Sequence, residues 1–167
     1  MKEIKLTRGY FAKIDDEDYD YISQFSWQAI PKGNDRVYAR RSKRVGPRSE
    51  GRQDHFYMHR EIINAKKGEY VDHINHVTLD NTKGNLRKCT NAENSKNNRG
   101  QPSQRIHSKY KGVKKNLNST TFSARITVDG VCLYLGSYKT QEEAAEAYNN
   151  AALEHHKEFA FLNEIKC

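Results

Sequence analysis

The stretch that decides the fold is FSARITVDGVCLYLGSYKTQEEAAEAYNNAA, Phe122 to Ala152. Phe122–Val128 and Val131–Leu135 each alternate apolar with polar residues, the period-2 signature of half-buried strands. Asp129-Gly130 between them is a hairpin signal, because a tight turn needs positive φ at its centre. Thr140-Gln-Glu-Glu143 is a capping box and predicts a helix start. Beyond it Ala144, Tyr148, Ala151, Ala152 and His155 fall on one helical face, and small residues there let a helix approach a sheet closely. With Val113 as a further short strand, residues 109–167 read as a three-stranded antiparallel sheet with one packed helix. Val113, Phe122, Ala124, Ile126, Val128, Leu133 and Leu135 would face that helix. Lys114, Asn116, Arg125, Thr127, Cys132 and Tyr134 would lie on the opposite face.

Upstream, residues 101–108 (within Gly100–Ser108) have the composition of a linker. Thr90-Asn91-Ala92-Glu93 is another capping box, so a short helix should start near Asn91 and fade by Asn98 or Gly100. Tyr70–Ile74 reads as a strand after the turn Lys67-Gly68, and Asn75–Asn85 as a polar loop. Met58, Ile62 and Ile63 suggest a short helix. Residues 1–57 read as a small α+β unit. Its strands are Tyr10–Ile14, Trp27–Ile30 and Val37–Val45, with a turn at Gly33-Asn34, and Gly46–Gln53 is a loop. Its short helix starts in the acids Asp15–Asp18, which suit the positive dipole end, and carries the stripe Tyr19, Ile22, Phe25. The class is α+β, in segments 1–57, 58–100, 101–108 and 109–167.

The 167 residues are only 35% hydrophobic, which disfavours one large core. The net charge is +8, and the positive charge is concentrated. Arg36–Arg52 holds seven basic residues and one acid, and Lys83–Lys115 ten and one, whereas five acids crowd Asp15–Asp20. Basic runs along extended chain point to nucleic acid, because each phosphate contact releases condensed counterions. A membrane-binding helix would gather such residues opposite an apolar face, and none does. No apolar run approaches the ~18 residues of a membrane span, and no apolar signal core opens the chain. Three scattered cysteines (Cys89, Cys132, Cys167) form neither a disulfide framework nor a zinc knuckle. A cytoplasmic protein is the expectation.

The chemistry concentrates in VDHINHVTLDNTKGNLRKCTNAENSKNN, Val71 to Asn98. Asp72 offers a carboxylate and Asn94 a carbonyl oxygen, the hard ligands a magnesium-like ion takes. His73 has a free pKa near the working pH of a general base. A base that activates water and a cation that holds the phosphate suffice for phosphodiester hydrolysis. No serine or cysteine nucleophile has comparable support. Spacing alone leaves blander readings open: a surface histidine, an asparagine cap, and a strand alternation that sends Asp72 and His73 to opposite faces.

This segment resembles the HNH motif of the ββα-metal nucleases, in the variant common in phage and intron-encoded homing endonucleases. Asp72-His73 matches the first position, Asn85 in Asn85-Leu86-Arg87 the middle, Asn94 the last, and Met58-His59-Arg60 the lead-in helix. The resemblance implies His73 as general base, Asn85 bracing the loop and orienting His73, and Asp72 and Asn94 binding one divalent cation, Mg or Mn. His76 stands where the family usually has Gly. The C-terminal segment, through YKGVKKN, the Leu-Gly-Ser-Tyr turn, the Glu-Glu-Ala-Ala helix and Leu162-Asn163, is similar to the plant ethylene-response-factor (Apetala-type) DNA-binding domain. That family reads the major groove with its sheet. The expected DNA-binding residues are Arg40, Arg41, Lys43, Arg44, Arg87, Arg99, Lys114, Asn116, Arg125, Thr127 and Tyr134. The expected activity is one-strand nicking of double-stranded DNA by a monomer. The alternative is an inactive DNA-binding regulator that keeps the fold as a scaffold.

Overall fold

The computed structural model describes residues 1–33, 36–47, 51–97 and 108–165. Asn34, Arg48, Arg99 and residues 101–107 of the expected linker lie outside them. The chain is α+β and groups into two compact units, Met1–Asn91 and Ala92–Cys167.

In the first unit β1 (Lys2–Lys5) and β2 (Phe11–Ile14) form an antiparallel hairpin. Arg8 and Gly9 turn the chain at positive φ. The acids that follow lead through a 3-10 turn into α1 (Tyr19–Ile22). β3 (Gln28–Lys32), β4 (Arg36–Arg44) and β5 (Gln53–Tyr57) make an antiparallel sheet in that order. β5 runs directly into α2 (Met58–Ile62). β6 (Tyr70–His73) pairs with β7 (Leu86–Cys89), and α3 (Asn91–Lys96) follows. The sequence reading lacks β1, β5 and β7. Each is four or five residues long and charged or half-exposed, so its apolar alternation is too short to register.

One apolar cluster holds this unit together: Ile4, Leu6, Ala12, Ile14, Ile22, Trp27, Ala29 and Ala39 pack with Met58, Ile62 and Leu86. The N-terminal segment and the segment from residue 58 therefore share a core. Trp27 donates its indole N–H to the Ile22 carbonyl, 2.9 Å, so the buried ring leaves no polar atom unpaired. Ile22 is the buried residue of α1, and Tyr19 with Phe25, three residues past the helix end, flanks the cluster.

In the second unit β8 (Val113–Lys115), β9 (Phe122–Val128) and β10 (Val131–Tyr138) form an antiparallel sheet with β9 central. α4 (Gln141–His156) packs on it through Ala144, Ala145, Tyr148, Ala151 and Ala152. The Thr140–Glu143 capping box is formed in both directions. His156, not His155, is the buried histidine: its ring bonds the Thr127 carbonyl at 3.0 Å. Gly112 sits at φ +77° beneath Tyr148, where a Cβ would lie 2.1 Å from a ring carbon.

Candidate active site

β6 ends on Asp72 and His73, both buried. Asp72 stands opposite Arg87 across the β6–β7 pair. Arg87 donates to Asp72 Oδ2 from Nε at 3.0 Å and from Nη2 at 2.7 Å, both side chains largely buried. Arg87, expected on DNA, holds this ion pair in the structure.

His73, the next residue, meets a different set of groups. Its ring lies 6.1 Å from Tyr38 of β4 and 5.2 Å from His59 of α2. Tyr38 and Tyr57 contact His59 at 5.6 and 5.7 Å. His73 Nε2 and Asn81 Oδ1 are 3.1 Å apart. An amide oxygen only accepts, so this contact puts the ring proton on Nε2 and the lone pair on Nδ1. Asn81 is 1% exposed. Its backbone N–H donates to the Lys13 carbonyl at 2.8 Å, and its side-chain amide reaches Met58 Sδ at 3.4 Å. A strand edge and a core methionine thus fix the partner of His73.

Asn85 is bonded within the loop that follows His73. Its Oδ1 accepts from the Asn75 N–H at 2.9 Å and its amide donates to the Asp80 carbonyl at 2.8 Å. The bond to the His73 ring comes from Asn81, which the sequence reading passed over. Its only signal was a further asparagine, between Asn75 and Asn85, in the Leu79-Asp80-Asn81 turn. Thr78 ties the same loop to β4, accepting from the Val37 N–H at 3.2 Å and donating to the Val37 carbonyl at 2.7 Å. His76 takes positive φ (62°), the conformation glycine fills most easily, and its N–H donates to the His73 carbonyl.

Burial, first, lowers the His59 pKa to about 3, helped by the nearby His73 and Arg60 charges. Burial also lowers that of His73, against the bond to Asn81 and the charges of Asp72 and Asp80. Both rings are neutral at pH 7, and a neutral imidazole is what a general base requires.

Asn94 belongs to the second unit, half-buried on α3. Among the described residues no three His, Cys, Asp or Glu side chains converge on one point. The Asp72 carboxylate is a hard oxygen ligand of the kind Mg²⁺ takes, an ion that keeps several waters and uses one or two carboxylates plus substrate phosphate.

The expected DNA ribbon on β4 divides by strand parity. Arg41 is on the core side: its guanidinium pairs with Glu61 at 2.7 Å and covers the Phe25 and Phe56 rings at 4.1 and 4.4 Å. Lys43 and Arg44 are exposed, and Arg40 lies half-buried on the Tyr38 side. In the second unit Lys114, Arg125, Thr127, Cys132 and Tyr134 are exposed on the sheet face away from α4, and Arg125 lies 5.7 Å from the Tyr134 ring. Asn116 on that face spends its amide on Thr121 and Ser137, at 2.8 and 3.0 Å.

No protein-family model matches the chain. It is similar to an uncharacterized HNH endonuclease of Acanthamoeba polyphaga mimivirus, 29% identical over 160 residues, 95% of this chain and 77% of that protein. A shorter segment is 45% identical over 58 residues to the ethylene-responsive transcription factor WRI1 of Arabidopsis thaliana. Another is 50% identical over 50 residues to an AP2-like ethylene-responsive transcription factor of the same plant. These segments cover 34% and 29% of this chain and 14% of each plant protein. The first similarity suggests a nuclease, and the plant segments suggest a DNA-binding element. Among the described residues no helix is long and apolar enough to cross a membrane.

Proposed function

We propose that this chain is a divalent-metal-dependent DNA endonuclease of the HNH homing type that nicks one strand of a recognised duplex as a monomer. The observation that carries the reading is His73, buried, neutral and held by Asn81 at the end of β6 beside Asp72. The near full-length similarity to an HNH endonuclease agrees with it.

In this reading His73 Nδ1 takes a proton from the attacking water. Asn81 keeps the opposite nitrogen protonated and the ring in one orientation. Asn85 holds the loop from Asn75 to Asp80 in shape. Asp72 and Asn94 would hold one Mg or Mn ion, which when bound offsets charge on the scissile phosphate and the leaving oxygen. Arg87 fixes the Asp72 carboxylate and moderates its charge. The face bearing Lys114, Arg125, Thr127 and Tyr134 supplies affinity and site choice through the major groove.

The test is supercoiled plasmid with Mg²⁺ or Mn²⁺ at limiting enzyme. Open circles should precede linear product, and chelation, Asp72→Ala and Asn94→Ala should each stop the reaction. His73→Ala should cut the rate by the ~10²–10⁴-fold of a positioned base, with DNA affinity nearly unchanged. Tight DNA binding by the intact protein without metal-dependent nicking would establish the scaffold regulator instead. Direct linearisation with second-order dependence on enzyme would refute the monomer.

A further inference from the structure

Arginines 36 and 40 of β4 stand apart from the other half-buried arginines of the first unit. Arg41 is paired with Glu61 at 2.7 Å, Arg87 with Asp72 at 2.7 Å, and Arg60 donates to the Glu69 and Lys66 carbonyls at 2.6 and 2.8 Å. Among the described residues the Arg36 and Arg40 side chains have no hydrogen bond, ion pair or ring contact, although both are half-buried. Arg40 Nε is shut off from solvent and has no hydrogen-bond partner among the described residues. A cationic N–H taken out of water without an acceptor costs the fold free energy. The described residues return nothing for it, and the Nη end of the half-buried guanidinium, neither bonded nor shut off, is open to an acceptor from outside.

Their position says which acceptor. Strand alternation puts Arg36, Tyr38 and Arg40 on one face of β4. The Tyr38 ring between them lies 6.1 Å from His73 and 5.6 Å from His59. Arg40 pairs in register with Tyr57, whose ring also meets His59. Two unpaired guanidiniums thus straddle the tyrosine that touches the base. Their planar forks match phosphate oxygens two at a time.

We propose that Arg36 and Arg40 form a phosphate clamp, gripping the DNA strand on either side of Tyr38 and presenting one phosphodiester to His73. The clamp rests on the nuclease reading for its purpose, but it makes a separate claim about binding. Four proteins test it: wild type, Arg36→Gln, Arg40→Gln and the double variant, with Arg41→Gln as a structural control. A fluorescent duplex is titrated by anisotropy in chelator over a KCl series. Each clamp substitution should lower the slope of log affinity against log salt by ~0.9, and the double by about twice that. Arg40→Gln should melt at or above the wild-type temperature, since it removes an unpartnered cation. Arg41→Gln should melt below it with an unchanged slope. Nicking by Arg40→Gln should fall by ~10²-fold, as for a lost donor to developing charge.

Unchanged slopes in both single variants would overturn the clamp even if the wild type nicks normally. A lower melting temperature with an unchanged slope would make Arg40 structural and also overturn it. The expected slope losses in a wild type that nicks nothing would uphold the clamp and sink the nuclease reading.

Discussion

Lowering the pH from 7 to 5 should destabilise the first unit through His59. The ring is 8% exposed, and its pKa is about 3 in the fold against ~6.5 in an unfolded chain. Between those values the unfolded state binds the extra proton. The stabilisation is therefore fully present above ~6.5 and is lost as pH falls toward the folded value. The loss is RT ln[(1 + 10^(6.5−pH))/(1 + 10^(3−pH))], which rises by about 2 kcal/mol between pH 7 and pH 5. For a unit of this size that is a melting shift of order 10 °C. His73, also lowered by burial, adds in the same direction. The chain's one tryptophan, Trp27, sits in this unit's core, so its fluorescence in urea reports this unit's unfolding. His59→Gln is the comparison. Whatever it does to stability at pH 7, it should lose about 2 kcal/mol less than wild type on going to pH 5. If both proteins lose the same amount, His59 accepts a proton in the fold without penalty and the buried Tyr38–His59–His73 stack is wrong.

Other perturbations read other parts of the structure. Asn81→Ala removes the bond that raises the His73 pKa, so nicking should slow while the acid limb of its pH–rate profile moves to lower pH. A limb that stays put would separate Asn81 from the base. Gly112→Ala puts a methyl 2.1 Å from the Tyr148 ring and 2.6 Å from the Arg125 carbonyl at φ +77°. It should cost the second unit at least ~2 kcal/mol, read by circular dichroism, with Trp27 unfolding unchanged. Thr140→Ala breaks both arms of the capping box and should cost ~1 kcal/mol by the same measurement.

The second unit was largely legible because its signals are local. Asp129-Gly130, the Thr140–Glu143 box and the alternation of Phe122–Val128 each act within a few residues, and all appear where the sequence puts them. Even the two faces of the sheet came out right. What failed there was one helical step, His155 for His156. At that end of the helix an acceptor on the neighbouring strand, the Thr127 carbonyl, decides which ring turns inward. In the first unit β1, β5 and β7 were missed because short strands are fixed by partners far along the chain. β5, for instance, pairs Gln53–Tyr57 with Arg44–Arg40.

The site shows the same division between residue identity and residue partner. Asp72, His73 and Asn85 were named from the motif, and they lie close along the β6–β7 hairpin. Which asparagine meets the ring was not readable, because Asn81 acquires that place from Lys13 on β2 and Met58 on α2. Those contacts belong to the shared core, so the N-terminal hairpin is part of what aims His73. A cavity at Ile14, buried in β2 beside Lys13, should therefore loosen the Lys13–Asn81 bond and reach His73 through it. Parity on β4 is the other fact that charge counting hides. Arg40 and Arg41 are neighbours in a basic run, yet one seals the core against Glu61 and the other stands unpaired on the Tyr38 face. Charge density says that a surface meets DNA, but only the pleat says which cations are free to do so.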